Sequence, residues 1–163
     1  MILAVSDTIL IRCRQKNHEE GNFLKSKLQI DKLTNYLRRT IIKTNHEKEK
    51  GALLYAIISK LSLISHALVY LYDYATAHQI PLTEKELKHL AEINAMLRYF
   101  YEAFYKKDFE AFARIGLLKQ DLEKENNTLL VHAQGKNTVI VAYMREIIRL
   151  VHMCTPFSLG YYL

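Results

Sequence analysis

GALLYAIISKLSLISHALVYLYDYATA, Gly51 to Ala77, decides the fold. Apolar residues recur at Leu54, Ile57, Ile58, Leu61, Ile64, Leu68, Leu71 and Ala75, a three-and-four spacing that predicts about six turns of helix. Leu53, Ala56, Leu63, Ala67, Val69 and Tyr72 widen the stripe. Mainly Ser59, Lys60, Ser62, Ser65, His66 and Asp73 are left for water or a polar partner. A helix this apolar needs neighbours on several sides, as in a bundle.

The totals fit that reading. Half of the 163 residues are apolar, and the chain has only five Gly and two Pro, so little is left for long loops. The length suits one domain with a substantial core. Cys13 and Cys154 are too few for a disulfide framework and match no zinc spacing, which predicts reduced thiols in a cytoplasmic protein. Ser6 and Asp7 interrupt the apolar start, so no signal peptide is expected. Uncharged apolar runs such as Leu61 to Tyr72 fall short of the roughly 18 residues of a membrane span.

Around the central helix the other elements follow from caps and periodicity. Residues 2–16 form a first helix with Ile2, Val5, Ile9 and Cys13 on one side. Asn17 with Glu20 reads as a capping box opening a second helix to about residue 42, its core face Leu24, Leu28, Leu33, Leu37 and Ile41. Thr44 with Glu47 opens the central helix, which ends before Pro81. Thr83 with Glu86, and Leu82 stapled to Leu87, start a fourth helix carrying Leu90, Ile93, Leu97 and Phe100 or Tyr101. Asp108 caps a fifth, with Phe109, Phe112, Ile115 and Leu122. After a turn at Gly135, a sixth begins near Thr138 with Val141, Met144, Ile148 and Val151. Pro156 is expected to kink or end it, leaving Phe157 to Leu163 as an apolar tail.

The fold class is therefore all-α: six helices as two three-helix repeats, about 1–80 and 81–163, in one antiparallel bundle. Sliding the second helix onto the fifth pairs Phe23 with Ile115, Lys27 with Lys119, Asp31 with Glu123, Asn35 with Asn127 and Leu37 with Leu129.

The phrase Ala103-Phe-Tyr-Lys-Lys-Asp108-Phe-Glu-Ala-Phe112, followed by Asp121-Leu-Glu-Lys-Glu125, and the shorter Gln29-Ile-Asp-Lys-Leu33 carry a likeness. With the layout of the helices, the chain resembles the phosphate-uptake regulators of the PhoU type, in particular their archaeal kind. The resemblance implies a non-enzymatic regulator acting by contact with a transporter or signalling protein, and a homodimer, for which the apolar tail is the candidate surface. It also implies where a metal cluster would sit, on paired carboxylates four residues apart in the third helix of each repeat. Of those positions Asp73 is retained, whereas Val69, His152 and Pro156 stand at the other three, so no metal or other cofactor is expected there.

Other residue sets carry weaker chemistry. His66, Tyr70 and Asp73 share a helix face, where the ordinary outcome is a His satisfied by its neighbours. Asp73 and His152 would hold a lone ion only if the third and sixth helices brought them together. Glu86-x-x-His89 has the spacing of di-iron bundles but lacks the second copy that chemistry requires. His46-Glu47 starts like a zincin, with Lys50 where the second His belongs. Cys13 and Cys154 are expected to be packing residues.

The net charge of +6 is concentrated in the first third of the chain. Arg38, Arg39 and Lys43 there could grip an anion or an acidic partner. The alternative to a protein-contact role is a nucleic-acid-associated module. It gains if Arg12, Arg14, Lys16, Lys25, Lys32, Arg38 and Arg39 converge on one face.

Overall fold

In the computed structural model, which describes residues 1–15, 23–44 and 48–163, the chain forms six helices: α1 (Ile2–Arg14), α2 (Phe23–Thr44), α3 (Lys48–Ala77), α4 (Glu84–Lys106), α5 (Phe109–His132) and α6 (Asn137–Tyr162). The described residues contain no strand. Local chemistry sets the boundaries. Thr83 Oγ1 accepts from the Glu86 amide at 3.3 Å while the Thr83 amide donates to Glu86 Oε2 at 2.7 Å, so the capping box forms in both directions. Asp108 Oδ1 accepts from the Ala111 amide at 2.9 Å, after Lys107 has closed α4 in a left-handed conformation. The expected boxes at Asn17/Glu20 and Thr44/Glu47 involve positions outside the described residues.

α3 and α6 run antiparallel through the centre: Tyr70 meets Tyr143 at 6.5 Å between rings, and Leu53 faces Gly160 at the other end. A Cβ on Gly160 would lie 3.3 Å from Leu53 Cδ1, so the missing side chain lets the two helices close. Ile64, Leu68, Val69 and Leu71 of α3 and Val141, Met144, Ile148 and Val151 of α6 are fully buried, as their periodicity predicts. By length and mean hydropathy (1.7), Glu49–Ala77 would also suffice to cross a bilayer. Its apolarity is accounted for by its position, since it packs on α1, α2 and α6.

Two details of α3 depart from expectation. Ser62 and Ser65 are buried, and Leu63 is exposed. The outward strip runs through Tyr55, Leu63, Tyr70 and Asp73, because α2 covers the side on which Ser62 lies.

The outer helices are not equivalent. α5 packs against both α4 and α6. α2 packs on α3 and touches only part of the short α1, so half of its circumference meets no other helix. Leu24, Leu28 and Leu33, expected in the core, are therefore on the surface, at 61%, 51% and 47% exposure. Phe23, Ile30 and Thr34 are buried instead. The reason lies in the spacing: the five-residue step from Leu28 to Leu33 turns the helix by about 140° off the stripe, so these leucines never shared one face. Phe109, expected inside α5, is likewise exposed.

Pro156 neither ends nor detaches the last segment. α6 continues to Tyr162, with Phe157, Leu159, Tyr161 and Tyr162 packed against the core. Proline costs a helix about 3 kcal/mol through its missing N–H. Here the turns beyond it are held by rings, with Phe104 stacked on Tyr161 at 6.3 Å and packed on Tyr162 at 5.3 Å, and the Tyr162 hydroxyl donates to the Phe104 carbonyl. The free apolar tail expected as a dimer surface is thus part of the bundle. α1 is tied to α4 by a polar clamp in which Asn94 Nδ2 donates to Asp7 Oδ1 at 2.7 Å and Arg98 pairs with Asp7 Oδ2.

Two predictions test this packing by urea unfolding. Ile148→Ala, in the central seam, is expected to cost about 2–5 kcal/mol, and Leu28→Ala to stay within about 0.5 kcal/mol. Burial alone would raise the Asp7 carboxyl, but the bonds from Asn94 and Arg98 and the Arg98 charge hold it below its ordinary value of 3.8. Its stabilisation is complete above that value and is lost as pH falls through the depressed one. Asp7→Asn is therefore expected to flatten the acid limb of stability below about pH 4, and an unchanged limb would show that the clamp contributes nothing.

Candidate functional site

The four positions marked by the family likeness do not converge. Val69 is fully buried in the α3·α6 seam, Asp73 and Pro156 are exposed, and His152 is half-buried. Burial raises the Asp73 carboxyl somewhat, opposed by the charge of Lys27. In the antiparallel seam His152 of α6 lies level with about Leu61 of α3. That is some 18 Å along the helix from Asp73, so these two do not form an ion site.

The basic residues of the first third divide into two sets. Arg12 lies over Phe23 at 5.3 Å, Lys27 over Tyr70 at 5.4 Å and Arg38 over Tyr55 at 5.6 Å, so these three brace α2 against α1 and α3. Arg38 also donates to Asn35 Oδ1 at 3.4 Å. Lys25, Lys32, Arg39 and Lys43 are exposed on the outer side of α2, where steps of two turns, two turns and one turn align them in a stripe. The proposed trio of Arg38, Arg39 and Lys43 is split accordingly, with Arg38 turned inward. Arg14 points elsewhere, to a shallow surface on α4 beside Glu84 and Glu92, and Lys16 lies outside the described residues.

Beside the stripe stand Leu28 and Tyr36, and at its edge Leu24 and Ile42; Tyr36 and Ile42 are 67% and 69% exposed. The one carboxylate of α2, Asp31, lies at the flank of this face, next to Leu24 and Leu28 around the helix, and is engaged by α3. His66 Nε2 lies 2.6 Å from Asp31 Oδ1, and Ser62 is 3.5 Å from the same oxygen. His66 is thus satisfied across the α2·α3 contact rather than by Tyr70 or Asp73. Where α1 to α4 meet, an apolar cleft of about 380 Å³ opens, lined by Ile30, Leu33, Leu61 and Phe100 and lipped by Tyr101 and Tyr105.

Glu86 and His89 have separate roles. Glu86 is buried; its Oε2 serves the Thr83 cap and its Oε1 accepts from Asn137 Nδ2 at 3.2 Å, which ties the starts of α4 and α6 together. His89, fully buried, turns toward α5. Its Nε2 lies 3.2 Å from Asn126 Oδ1, and its Nδ1, 3.6 Å from Glu125 Oε2, has no hydrogen-bond partner. Glu92, one turn along α4, completes a group in which one ligand atom of each of His89, Glu92 and Glu125 lies within 4.8 Å of the others. Burial, then a hydrogen bond and the charge of Glu125, push the Glu92 carboxyl up against the opposing Lys88, 3.8 Å away. Burial holds the His89 imidazole below its ordinary value, which favours the neutral ring, against the pull of Glu125 and Asn126. Sequence reading weighed His89 only with Glu86, set that pair aside, and did not single out Glu92 or Glu125 as its neighbours. The usable signal was the three-residue spacing of His89 and Glu92 together with the acidic run Asp121 to Glu125.

Both cysteines are free and buried, and burial pushes the Cys13 thiol up to about 11 and the Cys154 thiol up to about 12, the latter against the charge of Lys60.

No protein-family model, curated protein or solved structure matches this chain.

Because Glu86 serves two helix starts from a buried position, Glu86→Ala is expected to lower the unfolding free energy by about 1–3 kcal/mol, read by urea titration. Glu86→Gln, which keeps one of the two acceptor oxygens, is expected to recover part of it.

Proposed function

We propose that this chain is a non-enzymatic regulatory protein of the phosphate-uptake-regulator kind, cytoplasmic, which works by binding an acidic protein partner on the outer face of α2. One observation carries the reading: Leu24, Leu28, Tyr36 and Ile42 are exposed alongside Lys25, Lys32, Arg39 and Lys43, on a face whose single flanking carboxylate, Asp31, is held by His66. Covering a leucine or isoleucine side chain contributes about 1.5–3 kcal/mol when burial is complete, so such a face gains by acquiring a partner. The stripe selects an acidic one and speeds its approach.

Charge also bears on the alternatives. A second copy meeting this face would set like charges opposite each other, so a homodimer of the kind the resemblance implies needs another face. A nucleic acid would satisfy the four cations, but Leu24, Leu28 and Ile42 have nothing to contribute to phosphate contacts. Two buried, protonated thiols are compatible with a reducing compartment.

Photo-crosslinking in cells from a reactive residue placed at position 28 or 42 is expected to trap one acidic protein reproducibly. With both proteins purified, Lys32→Glu with Arg39→Glu is expected to weaken the complex at least tenfold, and Lys124→Glu, exposed on α5, to leave it unchanged. Trapping only copies of this chain would overturn the reading. So would binding to a DNA or RNA duplex that falls steeply with salt and is lost in the same double variant.

A further inference from the structure

We propose that His89 of α4, Glu92 of α4 and Glu125 of α5 form a binding site for one divalent first-row transition ion, with positions left open to water or an anionic ligand. The site is separate from the α2 face and does not depend on that reading.

The geometry starts from the imidazole. Asn126 Oδ1 lies 3.2 Å from Nε2; with the amide in this orientation Nε2 carries the proton and the lone pair is on Nδ1. That lone pair is buried, lacks a hydrogen-bond partner, and faces Glu125 and Glu92. A lone pair and two carboxylates meeting at one point repel one another unless a proton or a cation is shared among them, and a metal ion would do so for all three. Asn126 fills the place of the outer hydrogen-bond acceptor that typically fixes the tautomer and orientation of a metal-bound His.

The spread of ligand atoms, up to 4.8 Å, is wider than the about 3.4 Å between ligands of a tetrahedral ion held at about 2.0–2.1 Å. Closing it needs only the glutamates to move, and their side chains are 38% and 36% exposed. His89, fully buried, supplies the fixed point.

The donor set names the class of ion. One imidazole nitrogen with two carboxylates suits zinc, iron(II) or manganese(II), whereas magnesium and calcium select all-oxygen sets. Three protein ligands leave a coordination position open, as in zinc sites that hold an exchangeable water. Arg14 and Lys88 line the surface outside Glu92, and they would favour an anion as the outer ligand.

The test is calorimetric titration of the whole, metal-stripped protein with zinc, alongside thermal unfolding with and without it. The expected result is one zinc per chain and a raised Tm, with no heat from magnesium. Glu92→Gln and Glu125→Gln are each expected to weaken zinc at least tenfold. Because both side chains are only half-buried and the substitutions keep their shape, they leave the fold intact where a His89 variant would risk it. Absence of zinc uptake would overturn the proposal and identify His89 as a core histidine, its Nδ1 protonated toward Glu125 and the Asn126 amide turned to donate to Nε2. Uptake undiminished in both glutamine variants would also overturn it, since the ion would then be held elsewhere.

Discussion

The antiparallel contact between α3 and α6 is the constraint on which the other helices depend. Two helices of 30 and 26 residues are apolar around most of their circumference, and each can be buried only by the other together with a covering layer. α1 and α4 fill that layer in part, and α5 completes it over α6. Gly160 permits the close approach at one end, and the tyrosine pair Tyr70 and Tyr143 sets the spacing at the other. Pro156, exposed on the surface of α6, does not break this seam. The rings of Phe104, Tyr161 and Tyr162 hold the helix beyond the missing hydrogen bond, so the packing decides where α6 ends.

Elements whose periodicity and caps agree were legible from the chain alone. α4 is the clearest case: Thr83, Glu86, Leu90, Ile93, Leu97 and Phe100 each take the place their spacing assigns. α2 was misread because it carries apolar residues on several faces, and periodicity cannot say which of them has a neighbour. That depends on α1 being only 13 residues long while α2 has 22, a fact about the assembled bundle.

The polar sites were less legible than the fold. Burial of Ser62 follows from where Asp31 lands, 31 residues away. His89 illustrates the same difficulty. Its spacing to Glu86 is the familiar one, yet the cap and Asn137 take up Glu86, and the group that faces His89 is assembled from α4 and α5 by packing. Sequence proximity marks which side chains can share a face, and only the tertiary fold shows which of them are already engaged.

The unequal covering of α2 and α5 divides the molecule into a firm part and a loosely held one. α5 is gripped by two helices through Phe112, Ile115 and Leu122. α2 is attached by Phe23, Ile30 and Thr34 and by contacts that water can replace: Asp31 with His66, Arg38 on Tyr55, Lys27 on Tyr70. Protein segments open locally at free energies set by such differences, well below that of global unfolding. Such a helix is held by fewer interior contacts than α3, α5 and α6, and its opening costs least where water can replace those contacts.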